Sequence, residues 1–271
     1  MDNLSDIRIK ETALTERIKA AGKLAVAFSG GTDSTYLVYK AHEVLGENAL
    51  AVTIRSQVLI SEDFEWTVEF CRNAGIKQAV IDYDVFTAEQ FGDNPPDRCY
   101  FCKKMDFDAI KHAAAEYGIT EVADGSNVDD TGDYRPGMRA LKELGIVSPL
   151  KESGLTKNEI RALSKEAGLP TWDKPAAACL ASRFAYGEKI TTEGLVRVAN
   201  AEKYIRNLGF EGIRVRVHGD IARIEAAPDD IELLTYGRTR KEISEELKRL
   251  GFKYVTIDID GYRTGSMNEV L

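Results

Sequence analysis

Three groups of residues in this sequence could carry chemistry. The first is Ser29-Gly-Gly-Thr-Asp-Ser34. Two adjacent glycines let the backbone approach a ligand closely, and successive backbone N–H groups can cradle phosphate oxygens. The lysine of a G-x-x-x-x-G-K-[ST] loop is absent, and so is the spacing of the G-x-G-x-x-G dinucleotide turn. The bland alternative is a tight strand-to-helix turn in which a Ser or Asp caps the helix. The second group is sulfur: Cys99 and Cys102 at an expected helix start, and Cys179 in the irregular segment 175–183. Cys99 and Cys102, three apart, can face one ligand. Three thiolates from two segments leave one iron of a four-iron cluster open to exogenous sulfide. Zinc with a fourth ligand, or a redox dithiol with a bystander thiol, fits the spacing equally well. Cys71 lies at a core-compatible helix position and reads as inert. The third group is Arg214 and Arg216, alternate residues on one strand and therefore on one face, suited to a phosphate or carboxylate. A solvated strand face is the competing reading.

The elements that must position these groups follow from hydrophobic patterning. Residues 23–28 form a short, nearly continuous apolar run, as in a strand covered on both faces. A helix over 34–45 follows, then strands at 49–54, 77–82 and 120–124 alternating with helices at 62–74 and 100–117. This alternation predicts parallel βαβ units whose ligands sit beyond the carboxyl ends of the strands. After Pro149 the pattern changes. Thr156 with Glu159 reads as a capping box for a helix ending near Gly168, and 191–208, 212–217, 220–226, 238–250 and 252–259 read as helix, strand, strand, helix, strand. The expected fold is α/β, a Rossmann-like parallel-sheet domain over 1–170 with a smaller α+β domain over 171–271, the boundary falling within 168–190.

Composition narrows the function. The chain has 271 residues, with 36 basic against 44 acidic side chains for a net charge of −8, which disfavours nucleic acid as a partner but leaves room for local basic pockets. No apolar run approaches the roughly 18 residues of a membrane span. Four cysteines are too few for a disulfide framework, so metal or redox chemistry in a reducing cytoplasm is expected.

The S-G-G-x-D-S segment resembles the pyrophosphate loop of the PP-loop ATP pyrophosphatase superfamily, which includes GMP synthetase, NAD synthetase, asparagine synthetase and several sulfurtransferases. The resemblance implies cleavage of ATP between its α and β phosphates, with Ser29, Gly30, Gly31, Ser34 and Mg²⁺ neutralising the leaving pyrophosphate and Asp33 as the metal-side carboxylate. It also implies that Asp124-Gly125-Ser126-Asn127, with Asp129 and Asp130, frames the nucleotide. In the continuing Asp133-Tyr-Arg-Pro-Gly137, Arg135 is a candidate phosphate contact.

Further motifs narrow the match: S-R-F-x-Y-G at 182–187, A-E-K-Y at 201–204, I-R-V-R-V-H at 213–218 and D-I-A-R-I-E at 220–225. With them the chain resembles the LarE family over almost its whole length. Those proteins are ATP-dependent sulfur-insertion enzymes that make the pyridinium bis-thiocarboxylate mononucleotide of the nickel-pincer cofactor of lactate racemase. The resemblance implies adenylylation of a pyridinium carboxylate mononucleotide, attack by sulfur from sulfide or another donor, and release of thiocarboxylate and AMP. It puts Ser182, Arg183, Arg214 and Arg216 at the substrate phosphate, and Glu202, otherwise either exposed or catalytic, in the same site. Some members sacrifice a lone cysteine that would align with Ala178. Others bind a [4Fe-4S] cluster through three cysteines, here Cys99, Cys102 and Cys179, and this pattern fits better than a sacrificial Cys179. A homo-oligomer, with the hexamer as its suggested form, is also implied. The competing functions are tRNA thiolation, disfavoured by the acidic charge, and a non-catalytic nucleotide sensor.

Overall fold

A computed structural model describes residues 2–131, 136–175, 179–263 and 266. In chain order the elements are α1 (Asp2–Ala21), β1 (Leu24–Ala27), α2 (Thr32–Leu45), β2 (Ala49–Arg55), α3 (Ser61–Ala74), β3 (Lys77–Asp82), α4 (Arg98–Glu116) and β4 (Val122–Ala123). They continue with α5 (Pro136–Glu143), α6 (Pro149–Glu152), α7 (Lys157–Glu166), α8 (Thr192–Asn207), β5 (Arg214–His218), β6 (Ile221–Glu225), α9 (Pro228–Thr235), α10 (Gly237–Arg249) and β7 (Tyr254–Ile257). No helix among the described residues is long and apolar enough to cross a membrane.

The chain divides into two compact units: Met1–Ala88 with Cys99–Ala177, and Glu89–Arg98 with Ala178–Leu271. In the first, the strands pair in parallel in the order β3-β2-β1-β4. Successive side chains of a strand point to opposite faces, and the two faces are separate cores. Leu24, Val26, Ala49 and Ala51 pack with Leu14 and Ile18 of α1, Leu37 of α2 and Ile160 of α7. Ala25, Leu50 and Val52 pack with Phe107 and Ile110 of α4 and Leu141 of α5. A strand buried on both sides must be apolar at every position, which is why β1 reads as a continuous run. The order also explains where a ligand can enter. From β1 the chain moves outward to β2 and β3, then returns to place β4 on the other side of β1, so the loops after β1 and β4 diverge at a topological switch point.

The second unit holds a three-stranded mixed sheet in the order β5-β6-β7, β5 antiparallel and β7 parallel to β6. The segment Glu89–Arg98 is built into this unit. Asn94 is fully buried and donates to the carbonyls of Phe184 (3.3 Å) and Ala185 (2.7 Å), and its own carbonyl accepts from the Gly187 amide at 2.9 Å. Arg98 donates to Asn94 Oδ1 and to the Ala181 carbonyl.

Candidate functional site

In the first unit the glycine loop joins β1 to α2. Its entry is pinned to β2: the Phe28 amide donates to the Val52 carbonyl (2.8 Å) and Thr53 Oγ1 donates to the Phe28 carbonyl (2.9 Å). Gly30 takes the left-handed region at φ +74°. Ser29 and Ser34 close the loop on itself, with their hydroxyls 3.2 Å apart and Ser34 Oγ donating to the Gly31 carbonyl at 3.2 Å. The helix-capping alternative fails here. The residue before α2 is Gly31, and no side chain caps the helix. The first-turn amides of α2, which have no partner within the helix, are thereby left for a ligand.

The loop after β4 comes up against this one. A methyl group on Gly125 would lie 3.1 Å from the Ser34 amide nitrogen and 3.4 Å from Asp33 Cβ, tight enough that a larger residue would push the two loops apart by a few tenths of an ångström. Asp124 anchors the loop by accepting from the hydroxyls of Ser126 and Ser148. Asn127 Oδ1 accepts from the Asp129 amide, and Asp130 Oδ2 accepts from the Asn127 amide, both at 2.9 Å. Ser29, Gly30, Gly31, Asp33, Ser34 and Gly125 are thus brought together on one sheet edge. Arg135 lies outside the described residues.

Asp33 is the charged centre of this edge. Its Oδ2 accepts from Lys157 Nζ at 2.6 Å, while Oδ1 is buried with no hydrogen-bond partner among the described residues. Burial pushes the carboxyl above the ordinary aspartate range, and Lys157 opposes that shift. A buried carboxylate oxygen beside the loop amides suits a divalent cation such as Mg²⁺. Sequence reasoning missed Lys157 and Lys174. Lys174 Nζ donates to the Gly30 carbonyl (3.0 Å) and to Asp63 Oδ1 (2.8 Å), and so braces the loop from outside. Neither lysine has a local signal beyond its charge, because both act through contacts more than a hundred residues away.

In the second unit Arg183, Glu202, Arg214 and Arg216 are all buried. Of the two alternatives for Glu202, exposed or catalytic, burial removes the first, and it likewise removes the solvated-face reading of the arginine pair. Arg183 and Glu202 form a two-pronged ion pair at 2.8 and 3.1 Å, and Glu202 Oε1 also accepts from the Val215 amide at 2.9 Å. Arg216 pairs with Glu225 at 2.9 and 2.7 Å and donates to the Ser182 carbonyl at 3.0 Å. Arg183 also donates to Ser182 Oγ (3.0 Å) and to the Cys179 carbonyl (3.3 Å). Arg214 lies over the Tyr262 ring at 5.3 Å, and burial with neighbouring Arg183 pushes its guanidinium down from the ordinary arginine range. Ser182, the three arginines, Glu202 and the Cys179 backbone therefore converge. Arg183 and Arg206 face Glu202, and Arg216 and Arg223 face Glu225, so with Arg214 the cations of this cluster outnumber its carboxylates, a balance suited to an added anion.

All four cysteines are thiols. Cys71 is buried in the core of the first unit, and burial pushes its thiol up to about 12, as its inert reading requires. Cys99 and Cys102 lie in the first turns of α4, exposed and half-buried respectively, while the exposed Cys179 belongs to the second unit. Among the described residues, no three His, Cys, Asp or Glu side chains surround one metal position.

No family model matches the chain. Among curated proteins, it is 37% identical over 270 residues to the pyridinium-3,5-bisthiocarboxylic acid mononucleotide synthase of Lactiplantibacillus plantarum, a match spanning 99% of this chain and 97% of that protein. It is 43% identical over 246 residues to an uncharacterized protein of Synechocystis sp., spanning 91% of this chain and 92% of that one. A more distant likeness, 28% over 178 residues, links 55% of the chain to half of the tRNA-specific 2-thiouridylase of Acidithiobacillus ferrooxidans.

Proposed function

The chain belongs to the family of the pyridinium-3,5-bisthiocarboxylic acid mononucleotide synthase and is an ATP-dependent sulfurtransferase, and from that premise we propose that it converts a pyridinium carboxylate mononucleotide to the thiocarboxylate through an acyl adenylate. The whole-length likeness carries this reading. The site geometry supports it with a phosphate cradle in one unit and a buried arginine cluster in the other.

In the first half-reaction a substrate carboxylate oxygen bonds to the α-phosphorus of ATP, and the bond from that phosphorus to the bridging oxygen of pyrophosphate breaks. Charge builds on the leaving group, where the amides of Gly30, Gly31 and the start of α2 and the hydroxyls of Ser29 and Ser34 can receive it. Asp33 would hold the Mg²⁺ that shares this charge, Gly125 would leave room for the nucleotide, and Arg135 would be a further phosphate contact. In the second half-reaction a sulfur nucleophile bonds to the acyl carbon and AMP leaves with the carbon-bound oxygen. Ser182, Arg183, Arg214 and Arg216 would hold the mononucleotide phosphate. Glu202, already committed to Arg183 and the Val215 amide, would act by fixing that arginine.

The sulfur source is the finer part of the proposal. Cys99, Cys102 and Cys179 would ligate a [4Fe-4S] cluster, which when bound supplies an open iron for sulfide. Two exposed thiols and one half-buried thiol support this, against a single inert core cysteine; no step above depends on it. We also propose a cytoplasmic, homo-oligomeric enzyme.

The test is anaerobic turnover with ATP, sulfide and the pyridinium dicarboxylate mononucleotide, with tRNA compared in the same assay. The expected result is AMP and pyrophosphate formed only with the mononucleotide, and oxygen replaced by sulfur in the product. AMP formation that depends on tRNA would overturn the substrate assignment. The cluster predicts a brown protein with about four iron per chain, lost in Cys→Ala variants at the three positions. A colourless protein that loses one sulfur atom per turnover would instead point to a sacrificial Cys179.

A further inference from the structure

Lys157 is where the two loops of the first unit's sheet edge are tied together. Its backbone amide donates to Asp129 Oδ2 at 2.8 Å and its ammonium donates to Asp33 Oδ2 at 2.6 Å. Asp33 follows β1 and Asp129 follows β4, so one residue links the chains that diverge at the switch point. Lys157 is itself held at the start of α7. Thr156 caps the helix, and Glu159 returns to the Thr156 amide at 2.8 Å and pairs with Lys10 of α1 at 2.7 Å.

The state of Asp33 gives this link a purpose. One carboxylate oxygen is neutralised by Lys157, and the other is buried with no partner among the described residues. A buried polar atom without a protein partner is costly unless water or an ion completes it, and at Asp33 the neighbouring loop amides make a cation carrying phosphate the fitting one. The glycine loop carries no lysine of its own, so the cation that fixes its only carboxylate must come from elsewhere in the chain.

We propose that Lys157 is a positioning residue for adenylylation: by gripping Asp33 through Oδ2 and Asp129 through its amide, it presents Asp33 Oδ1 to the divalent ion of Mg²⁺·ATP. The inference rests on the ATP-dependent reading above and assigns the aiming of the metal-side carboxylate to a residue on α7. It also separates two interactions that a charge-only view would merge, since Lys157 acts on the metal ligand and not on the phosphates.

The experiment is calorimetric titration of a non-hydrolysable ATP analogue into wild type, Lys157→Met and Lys157→Arg, each with Mg²⁺ and with EDTA, melting temperatures being checked in parallel. Lys157→Met should weaken the Mg²⁺-dependent affinity by about tenfold, a step of ~1.4 kcal/mol, while the affinity in EDTA changes little; Lys157→Arg should recover most of the loss. In turnover, KM for Mg²⁺·ATP should rise more than kcat falls. Equal weakening with and without Mg²⁺ would overturn the proposal, because it would mean a direct phosphate contact. So would a Met variant that binds Mg²⁺ and nucleotide like wild type, and in that case the ATP-dependent reading would stand. Wild type that binds no nucleotide under any condition would overturn both.

Discussion

At Gly30 a methyl group would lie 2.9 Å from Thr67 Cγ2 and 3.2 Å from Trp66 Cε3, on a backbone already at φ +74°. Gly30→Ala therefore combines left-handed strain of roughly 1–2 kcal/mol with displacement of α3 or of the loop. The loop is the softer of the two, because Trp66 is stacked with Phe70 at 5.1 Å. We expect a melting temperature lower by a few degrees and nucleotide affinity weakened at least tenfold; unchanged affinity in calorimetry would mean that the loop is not the phosphate cradle. Individual residues were legible in the sequence to different degrees. The glycines could be read because their chemistry is local. Glu202 could not be placed by its charge, although its spacing carried the signal: Leu195, Val198, Glu202 and Ile205 recur at intervals of three and four on the face of α8 that is buried. A carboxylate on that stripe must meet a cation inside the protein.

Among the elements, α7 has the clearest dependence on one residue. Its capping box satisfies the Glu159 amide and orients the turn that carries Lys157. Thr156→Ala should cost about 1 kcal/mol of stability and, by loosening Lys157, should reduce Mg²⁺-dependent nucleotide affinity more than nucleotide affinity in EDTA. Thermal melts and the same titrations separate the two effects; a loss of stability alone would show that the cap serves only the helix. This box was readable as T-x-x-E, just as the alternating strands and helices of residues 23–124 were readable from their apolar runs. The short helices α5, α6 and α9 were not anticipated. They span 8, 4 and 8 residues, too few turns for a periodic stripe, and their one signal is the proline that opens each: Pro136, Pro149 and Pro228. The parallel pairing of β7 with β6 was equally hidden, since it depends on a crossover through α9 and α10 and not on either strand's own sequence.

For the whole molecule, a net charge of −8 leaves room for an anionic ligand only where basic groups gather locally, as Arg183, Arg214, Arg216 and Arg223 do around Glu202 and Glu225. The division into two units makes a further prediction. A fragment ending at residue 177 keeps Glu89–Arg98 but loses its partners in the second unit, among them the carbonyls of Ala181, Phe184 and Ala185. Replacing 89–98 in that fragment with a short glycine-serine linker should raise its solubility and melting temperature; a fragment that melts identically with and without the segment would show that the ten residues fold independently of their later partners.

The same arrangement imposes an order of events on the ribosome. Asn94 and Arg98 emerge roughly 80–90 residues ahead of the backbone groups they bind, on the order of 4–18 s at the usual pace of translation. For that interval the nascent first unit carries an incomplete piece of the second, so the two units cannot mature as independent beads on a string.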